Sequence, residues 1–214
     1  MALDSESVAS TLQVFIMLTL IGLAPYLLVM FTSFTRIIIS LSFLRSAMGT
    51  QQMPPNQILI GVSLFLTIFI MGPIFNEIND QAIKPFTTGQ ISAEAAIGNG
   101  MKPLRAFMLN QVEEKDVALF VELSGEMPEV AEDIPNRVLI PAFLLGELTK
   151  GFKIGVFIYL PFIVIDMVVA SVLMAMGMMM LPPVMISMPF KIMLFVMCGG
   201  WSFLLESLVR TFKF

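Results

Sequence analysis

The chain has 214 residues, of which 57% are hydrophobic and 13% are charged, and its mean hydropathy is +0.89. Soluble domains carry about 25% charged residues, so too few polar side chains remain to cover a soluble globule of this size. We therefore place the chain in a lipid bilayer or inside a larger apolar assembly. Its net charge of −4 argues against nucleic-acid binding, which needs a clustered basic patch.

Several classes of chemistry are excluded by what the sequence lacks. Histidine is absent, and Cys198 is the single cysteine. This excludes zinc sites built on Cys and His, Ser–His–Asp triads and disulfides within the chain. Gly-x-Ser-x-Gly and His-Glu-x-x-His motifs are also absent, and no apolar run contains two Asp residues. We expect no catalytic residues, no metal and no cofactor, and the chain is not predicted to be an enzyme.

Uncharged runs predict an all-α protein with two long hydrophobic helical hairpins. Residues 7–35 and 46–76 carry no charge, and each run exceeds the ~20 residues that a membrane-spanning helix needs. Residues 154–190 contain one charge, that of Asp166. A single helix of that length would extend ~55 Å, too far for one crossing. The predicted hydrophobic helices are 9–34, 56–76, 153–179 and 189–209.

The acidic residues divide the chain into three predicted regions. The N-terminal hairpin occupies 1–76, a small soluble helical insert 77–150, and the C-terminal hairpin with its methionine-rich loop 151–214. The insert holds 12 of the 16 acidic residues. Within it, Ser92 has the pattern of a helix N-cap, whereas the acidic, Pro-containing stretch 125–135 predicts a loop. The insert is too short for a large core of its own, so we expect it to pack on its neighbours.

Arginine residues indicate a membrane orientation. Arg36 and Arg45 fall in the predicted loop between the first two helices, and no acidic residue accompanies them. Basic loops favour the cytoplasm, which would leave the N-terminus and the acidic insert outside. We expect Arg36 to contact lipid headgroups and set topology, or else to make an assembly contact. The residues before the first apolar run lack the basic pattern of a cleavable signal peptide.

Three charged residues are predicted to form ion pairs. Asp166 lies in the middle of a predicted helix, where an unpaired charge is costly. We expect it to pair with a basic residue of a neighbouring subunit, with a pair inside the chain and proton handling as alternatives. Glu147 and Lys191 flank the second hairpin and could pair between copies, the alternative being two solvated ends. Use of Asp166 as an ion carrier is disfavoured, because proton relays need several titrating groups.

A methionine-rich run lies at 174–183, where five of ten residues are Met. Methionine is unbranched and adaptable, so such a cluster could close around shapes that differ, although simple packing would need the same residues. Pro182 and Pro183 are predicted to interrupt the helix, and Gly177 to permit a bend or a close helix approach. The candidate pore-sealing residues are Met176, Met178, Met179 and Met180.

Motifs along nearly the whole chain carry a resemblance to a known family. They are Met-Phe-Thr-Ser-Phe-Thr-Arg at 30–36, Pro-Pro-Asn-Gln-Ile-Leu at 54–59, Pro-Leu-Arg-Ala-Phe-Met at 103–108, Pro-Phe-Ile-Val-Ile-Asp at 161–166, the run at 170–183, and Pro-Phe-Lys at 189–191. Together they resemble the FliP family, the core protein of the flagellar export gate. The SctR branch of virulence injectisomes shares the hairpins and the methionine run, but the motif at 103–108 favours the flagellar branch.

The resemblance implies a function and a set of partners. It implies a multi-pass protein of the bacterial inner membrane, at the flagellar basal body, in a homo-oligomer of about five copies. FliR-like and FliQ-like subunits and an FlhB-like gate protein would join it, and unfolded export substrates would pass through a pore sealed by the methionine run. The apolar helices could face lipid or other subunits, since both reward the same surface. Residues 111–136 match no diagnostic pattern, so their role stays open.

Overall fold

The structure is a computed structural model that describes residues 5–50, 52–126, 128, 130–178 and 180–213. Within these residues every regular element is helical, which confirms the all-α prediction. The helices are α1 (Ser5–Phe31), α2 (Phe34–Ala47), α3 (Asn56–Ile78), α4 (Lys84–Thr87), α5 (Ala93–Gln111), α6 (Glu114–Ser124), α7 (Asn136–Ala175), α8 (Pro183–Met197) and α9 (Gly200–Arg210). A π-helical turn, Asn79–Ile83, joins α3 to α4, and a 3₁₀ turn, Ala131–Asp133, precedes α7.

Two helical stretches among the described residues are long and apolar enough to cross a membrane. They are Asn56–Thr87 and Asn136–Ala175. Two bent pairs also qualify if each pair is one crossing: Gly22–Phe31 with α2, bent by 83°, and α8 with α9, bent by 64°. The predicted hydrophobic stretches are therefore helical: the predicted helix 9–34 corresponds to the single helix α1, whereas the predicted helix 189–209 is broken into α8 and α9.

Helix α2 occupies the place where we predicted a loop. The apolar run ends at Phe31, and after Thr32 and Ser33 the chain turns into α2, which carries both Arg36 and Arg45. The prediction that these arginines lie in an inter-helix loop is wrong. Ile37, Leu41 and Leu44 recur at helical spacing and are buried, because this face of α2 packs along α7.

Helix α7 is one uninterrupted helix of 40 residues, about 60 Å long. The predicted helix 153–179 starts 17 residues after the observed start of α7 and ends four residues after its observed end. The boundary that we placed between residues 150 and 151 falls inside α7. Charged residues between 137 and 153 made this part resemble a soluble insert, but charges do not stop a helix when packing partners satisfy them. Pro135, in extended conformation at φ −67° and ψ 151°, precedes the first turn.

The core lies around the first half of α7, where α2, α5 and α6 pack on it and α3 packs on α2 and α5. Two glycines of α7 allow α2 to approach closely. A Cβ added at Gly151 would lie 3.0 Å from the Cβ of Ile39, and one at Gly155 would overlap Phe43. Helices with small residues at this spacing pack with their backbones near each other. The largest apolar side chains of the core include Leu41, Met71, Phe107, Met108, Leu139, Phe143 and Leu208.

Candidate functional site

The methionine-rich run forms the loop between α7 and α8. Helix α7 ends at Ala175, and Gly177 follows in the left-handed conformation at φ +75°. The N–H of Gly177 donates to the carbonyl of Met174, and the N–H of Met178 donates to the carbonyl of Leu173, both at 3.0 Å. These two bonds form a Schellman motif, which satisfies carbonyls that the helix end leaves open. A Cβ at Gly177 would meet open space within this chain, so the positive φ that ends the helix accounts for this glycine, and no helix of the same chain approaches it closely.

The prolines of the loop act differently from the prediction. The helix has already ended at Ala175, so Pro182 and Pro183 do not interrupt it. Pro182 precedes α8 in extended conformation, and Pro183 is the first residue of α8. Proline suits the first helical turn because its missing N–H would have no partner there. The pair therefore starts α8 and fixes the far end of the loop.

The described methionines of the loop point largely away from the chain. Met180 is 98% exposed and Met176 is 65% exposed, whereas Met178 is half-buried. Met179, the remaining predicted pore residue, lies outside the described residues. Packing within this chain covers little of the side-chain surface of Met176 and Met180. Any groups that cover these side chains must therefore come from outside the chain.

A largely buried polar cluster of Asp166, Ser187 and Lys191 joins α7 to α8. The Nζ of Lys191 donates to Oδ2 of Asp166 at 2.6 Å, and the hydroxyl of Ser187 donates to Oδ1 of the same carboxylate. Lys191 is 2% exposed, and Asp166 is about a quarter exposed. Both carboxylate oxygens are thus engaged within one chain, which is the intrachain alternative for Asp166.

The same cluster also touches the turn that ends α2. Gly49 adopts φ +75°, and a Cβ there would lie 3.3 Å from Val184 and 3.8 Å from the Nζ of Lys191. Three parts of the chain therefore meet at Lys191: the end of α2, the middle of α7 and the first half of α8. This junction fixes where α8 begins relative to α7, and so fixes the ends of the methionine loop.

A second ion pair is completely enclosed in the core. Arg36 on α2 and Glu147 on α7 are each 1% exposed. The Nε of Arg36 donates to Oε2 of Glu147 at 2.9 Å, and its Nη2 donates to Oε1, so the pair is bidentate. This environment excludes the predicted headgroup contact for Arg36, because the guanidinium does not reach the surface.

The last described residues of the chain complete the cage around Arg36. Its Nη1 donates to the carbonyl of Thr211 at 2.8 Å, and its guanidinium lies 3.8 Å from the ring centroid of Phe212. Gln111, at the end of α5, donates to the carbonyl of Lys213 at 2.7 Å and accepts from Arg36. One arginine thus connects α2, α5, α7 and the segment after α9.

Glu147 and Lys191, which we predicted to pair with each other between copies, have other ion-pair partners within the chain. Within the chain each residue has its own partner, Arg36 for Glu147 and Asp166 for Lys191. Neither is a solvated end, because both are buried. Arg45 also has a local role: its guanidinium donates to the side-chain oxygen of Asn56, across the turn between α2 and α3.

Sequence reasoning missed several residues that hold this site together. Gly151 and Gly155 have a Gly-x-x-x-Gly spacing, which is a readable signal for close helix packing. Gln111 and Thr211 have no such signal, because each contacts Arg36 from a distant part of the chain. Gln111 is 75 positions from Arg36 in the sequence, and Thr211 is 175 positions from it. Among the described residues, no group of three or more His, Cys, Asp and Glu side chains could hold a metal ion.

Comparisons with known proteins identify the family. A family model described as the FliP family matches residues 17–208. The chain is 50% identical to the flagellar biosynthetic protein FliP of Bacillus subtilis, over 98% of this chain and 95% of that protein. It is 52% identical to the FliP of Pectobacterium carotovorum (97% and 81% covered) and 47% identical to that of Treponema pallidum (97% and 78% covered). These matches confirm the resemblance found in the motifs. The chain belongs to the FliP family.

Proposed function

We propose that this chain is a channel-forming subunit of the flagellar protein export gate, and that its methionine loop seals the channel around unfolded substrates. About five copies would surround the channel, joined by FliR-like, FliQ-like and FlhB-like proteins in the bacterial inner membrane at the basal body. The family and the flagellar names of its relatives support the setting. The loop supports the mechanism.

The exposed methionine loop is the observation that carries the proposal. Met176 and Met180 extend from the tip of the α7–α8 hairpin with little contact to their own chain. Thioether side chains have three rotatable bonds, so a ring of such loops conforms to polypeptides of different shape. When no substrate is present, an apolar constriction excludes water and ions by dewetting. Sealing and passage are thus served by the same side chains.

A seal also needs a rigid support, and the polar junction supplies one. The Asp166–Lys191 pair and Ser187 hold the two helices of the hairpin together, and Gly177 and Pro182 define the ends of the loop. Flexible side chains on a fixed backbone suit a gasket, since the side chains adapt while the loop keeps its position.

The surface of the hairpin supports an assembly. Large apolar side chains are exposed along the second half of α7 and along α8, among them Phe157, Val164, Met167, Met193 and Met197. An apolar surface of this extent belongs against lipid or against other subunits. Neighbouring copies and partner subunits would cover it in the gate.

Two alternatives have less support. A virulence export gate would have the same hairpins, but the relatives with the highest identity quoted above are flagellar biosynthetic proteins. An ion or proton transporter would need a free carboxylate in the apolar region, whereas Asp166 binds Lys191 and Ser187. The proposed role needs no catalytic step.

Ion leak through the assembled gate tests the proposal. The variant Met176→Ala/Met178→Ala/Met180→Ala removes bulk from the loop, and Met167→Ala/Met193→Ala/Met197→Ala is a matched control on the same hairpin. Because Met167, Met193 and Met197 belong to the surface that partners would cover, Met53→Ala, an exposed methionine outside the hairpin, serves as an additional control for assembly. All variants are expressed with their partner subunits, and complex yield is measured first. We expect an intact complex with raised resting conductance for the loop variant only. Equal conductance of the loop variant and the parent, in an intact complex, contradicts the gasket.

A further inference from the structure

An apolar groove of about 690 Å³ lies in the acidic insert, in the region whose role the sequence left open. The end of α5, one face of α6 and the segment that leads into α7 form its walls. Glu114 is the charged side chain among the residues that line it. The apolar lining includes Leu109, Val112, Val117, Val121, Val130 and Ile134.

The far wall of the groove is held in place by Arg105. Its Nη2 donates to the carbonyl of Glu132 at 2.9 Å and to that of Ile134 at 2.7 Å, and its Nη1 donates to the side chain of Asn136. Ile134 is itself buried. The segment before α7 is therefore anchored at several points, and the groove exists before anything binds. A preformed site loses less conformational entropy on binding.

A second depression of about 610 Å³ adjoins the groove, and Ile134 lines both. Ile97 and Met101 of α5 line the second depression together with Arg105, and Ile97 is 74% exposed. Glu132 and Asp133 also line it. We call the two adjoining depressions the trough.

The described residues that line the trough include three acidic side chains, Glu114, Glu132 and Asp133, and one basic side chain, that of Arg105. The guanidinium of Arg105 is already engaged by two backbone carbonyls and by Asn136. Among the described residues, none of the three acids forms an ion pair, whereas Glu113 pairs with Lys115 and Glu126 with Arg137. The hydrogen bond from Lys115 lowers the pKa of Glu113. Acidic charge therefore remains available at the edges of the trough.

We propose that this trough, lined by α5, α6, Pro128 and residues 130–136, docks a basic amphipathic segment of a partner protein. Apolar side chains on one face of that segment enter the two depressions, and its Lys and Arg residues meet the acidic edges. Apolar contacts of this kind supply affinity, while the complementary charges steer the encounter and select the partner. The inference does not depend on the methionine gasket, because it uses no residue of the α7–α8 hairpin tip.

Binding of defined peptides to the full chain in a non-ionic detergent tests this inference. One probe is a fluorescent amphipathic helix of Leu and Lys, and its counterpart has every Lys replaced by Glu. Anisotropy is measured against the parent and against Ala118→Trp, which fills the groove from an exposed position of α6. Leu119→Trp is the matched control, because Leu119 is exposed on the same helix but does not line the groove.

We expect the Leu/Lys probe to bind the parent and the Leu119→Trp variant alike, and Ala118→Trp to weaken binding by about tenfold or more. Added salt should weaken binding of the Leu/Lys probe to the parent. The variant Glu114→Lys should also bind this probe more weakly than the parent does, and the loss should be larger than for the exposed control Glu77→Lys. Equal binding of the Leu/Glu probe, or binding that Ala118→Trp leaves unchanged, overturns the proposal. Self-association of the chain that Ala118→Trp abolishes would show that a second copy covers the trough, and would also overturn it.

Discussion

The two halves of α7 have the same helical conformation but opposite surroundings. Residues 136–155 contain eight buried positions, because α2, α5 and α6 pack around them. Residues 156–175 contain two, Phe162 and Leu173, and expose one apolar side chain after another. The first half is folded by its own chain. The second half has a surface that only lipid or other subunits can cover, so the folded core and the uncovered apolar surface belong to different parts of one helix.

The polar contacts of the two halves differ in the same way. Arg36 and Glu147 are caged by the core and by the segment after α9. Asp166 and Lys191 join only the hairpin and the turn at Gly49, and Asp166 remains partly exposed. We therefore expect substitutions in the first half to act on the stability of the single chain. Substitutions in the second half should act mainly on the hairpin and on assembly.

The largest effect is expected for Glu147→Ala. It leaves the guanidinium of Arg36 buried without its carboxylate, which costs about 3–5 kcal/mol. Chemical denaturation of the detergent-solubilised chain measures the loss. Glu206→Ala is the control, because the exposed Glu206–Arg210 pair is worth only about 0.3–0.5 kcal/mol. Similar losses for the two variants would mean that Arg36 is not enclosed as described.

Gly155→Ala tests the contact between α2 and α7. The new Cβ would overlap Phe43, so α2 must shift, and we expect a loss of about 1–3 kcal/mol in the free energy of unfolding. Gly72→Ala, in open space on α3, removes a helix-destabilising glycine and should gain about 0.5–1 kcal/mol. Opposite signs for the two variants are the expected result, and a gain at both positions would contradict the close approach.

Asp166→Ala should reduce stability by about 1–3 kcal/mol, because it leaves Lys191 buried without a counter-ion. The double variant Asp166→Ala/Lys191→Met removes both charges and should recover most of the loss. Denaturation of the single chain, without partners, gives the coupling energy between the two sites. Additive losses in the double variant would show that the pair does not act within one chain.

The smallest effect on the single chain is expected for Val164→Ser. Val164 is exposed in the second half of α7, so the free energy of unfolding should change by less than about 0.5 kcal/mol. Yield of the complex with partner subunits should nevertheless fall, because the proposed gate would place a neighbouring subunit against this position. Val138→Ser, the same change at a buried position of the first half, should destabilise the chain itself. A complex that forms normally with Val164→Ser would place this face against lipid.

Composition and spacing were sufficient for the coarse structure. An uncharged run must be helical in an apolar environment, since its backbone groups find partners only within the helix, and this predicted the hydrophobic stretches. The Ser92 N-cap was also readable, and its hydroxyl accepts from the N–H of Ala95 at 3.2 Å. Both features depend on neighbours a few residues away. The start of α7 was missed because its charged residues are satisfied by distant helices, which the local sequence does not show.

Residue types and their local order were enough to predict the helical class, the apolar surfaces, the methionine loop and the family. The pairing of Arg36 with Glu147 and of Asp166 with Lys191, and the end of α7 at Gly177 rather than at Pro182, became visible only in the folded chain. A buried charge must find a partner, but any opposite charge that the fold brings near will serve. Which one it meets depends on how the helices bend and pack, and that is set by contacts between residues far apart in the chain.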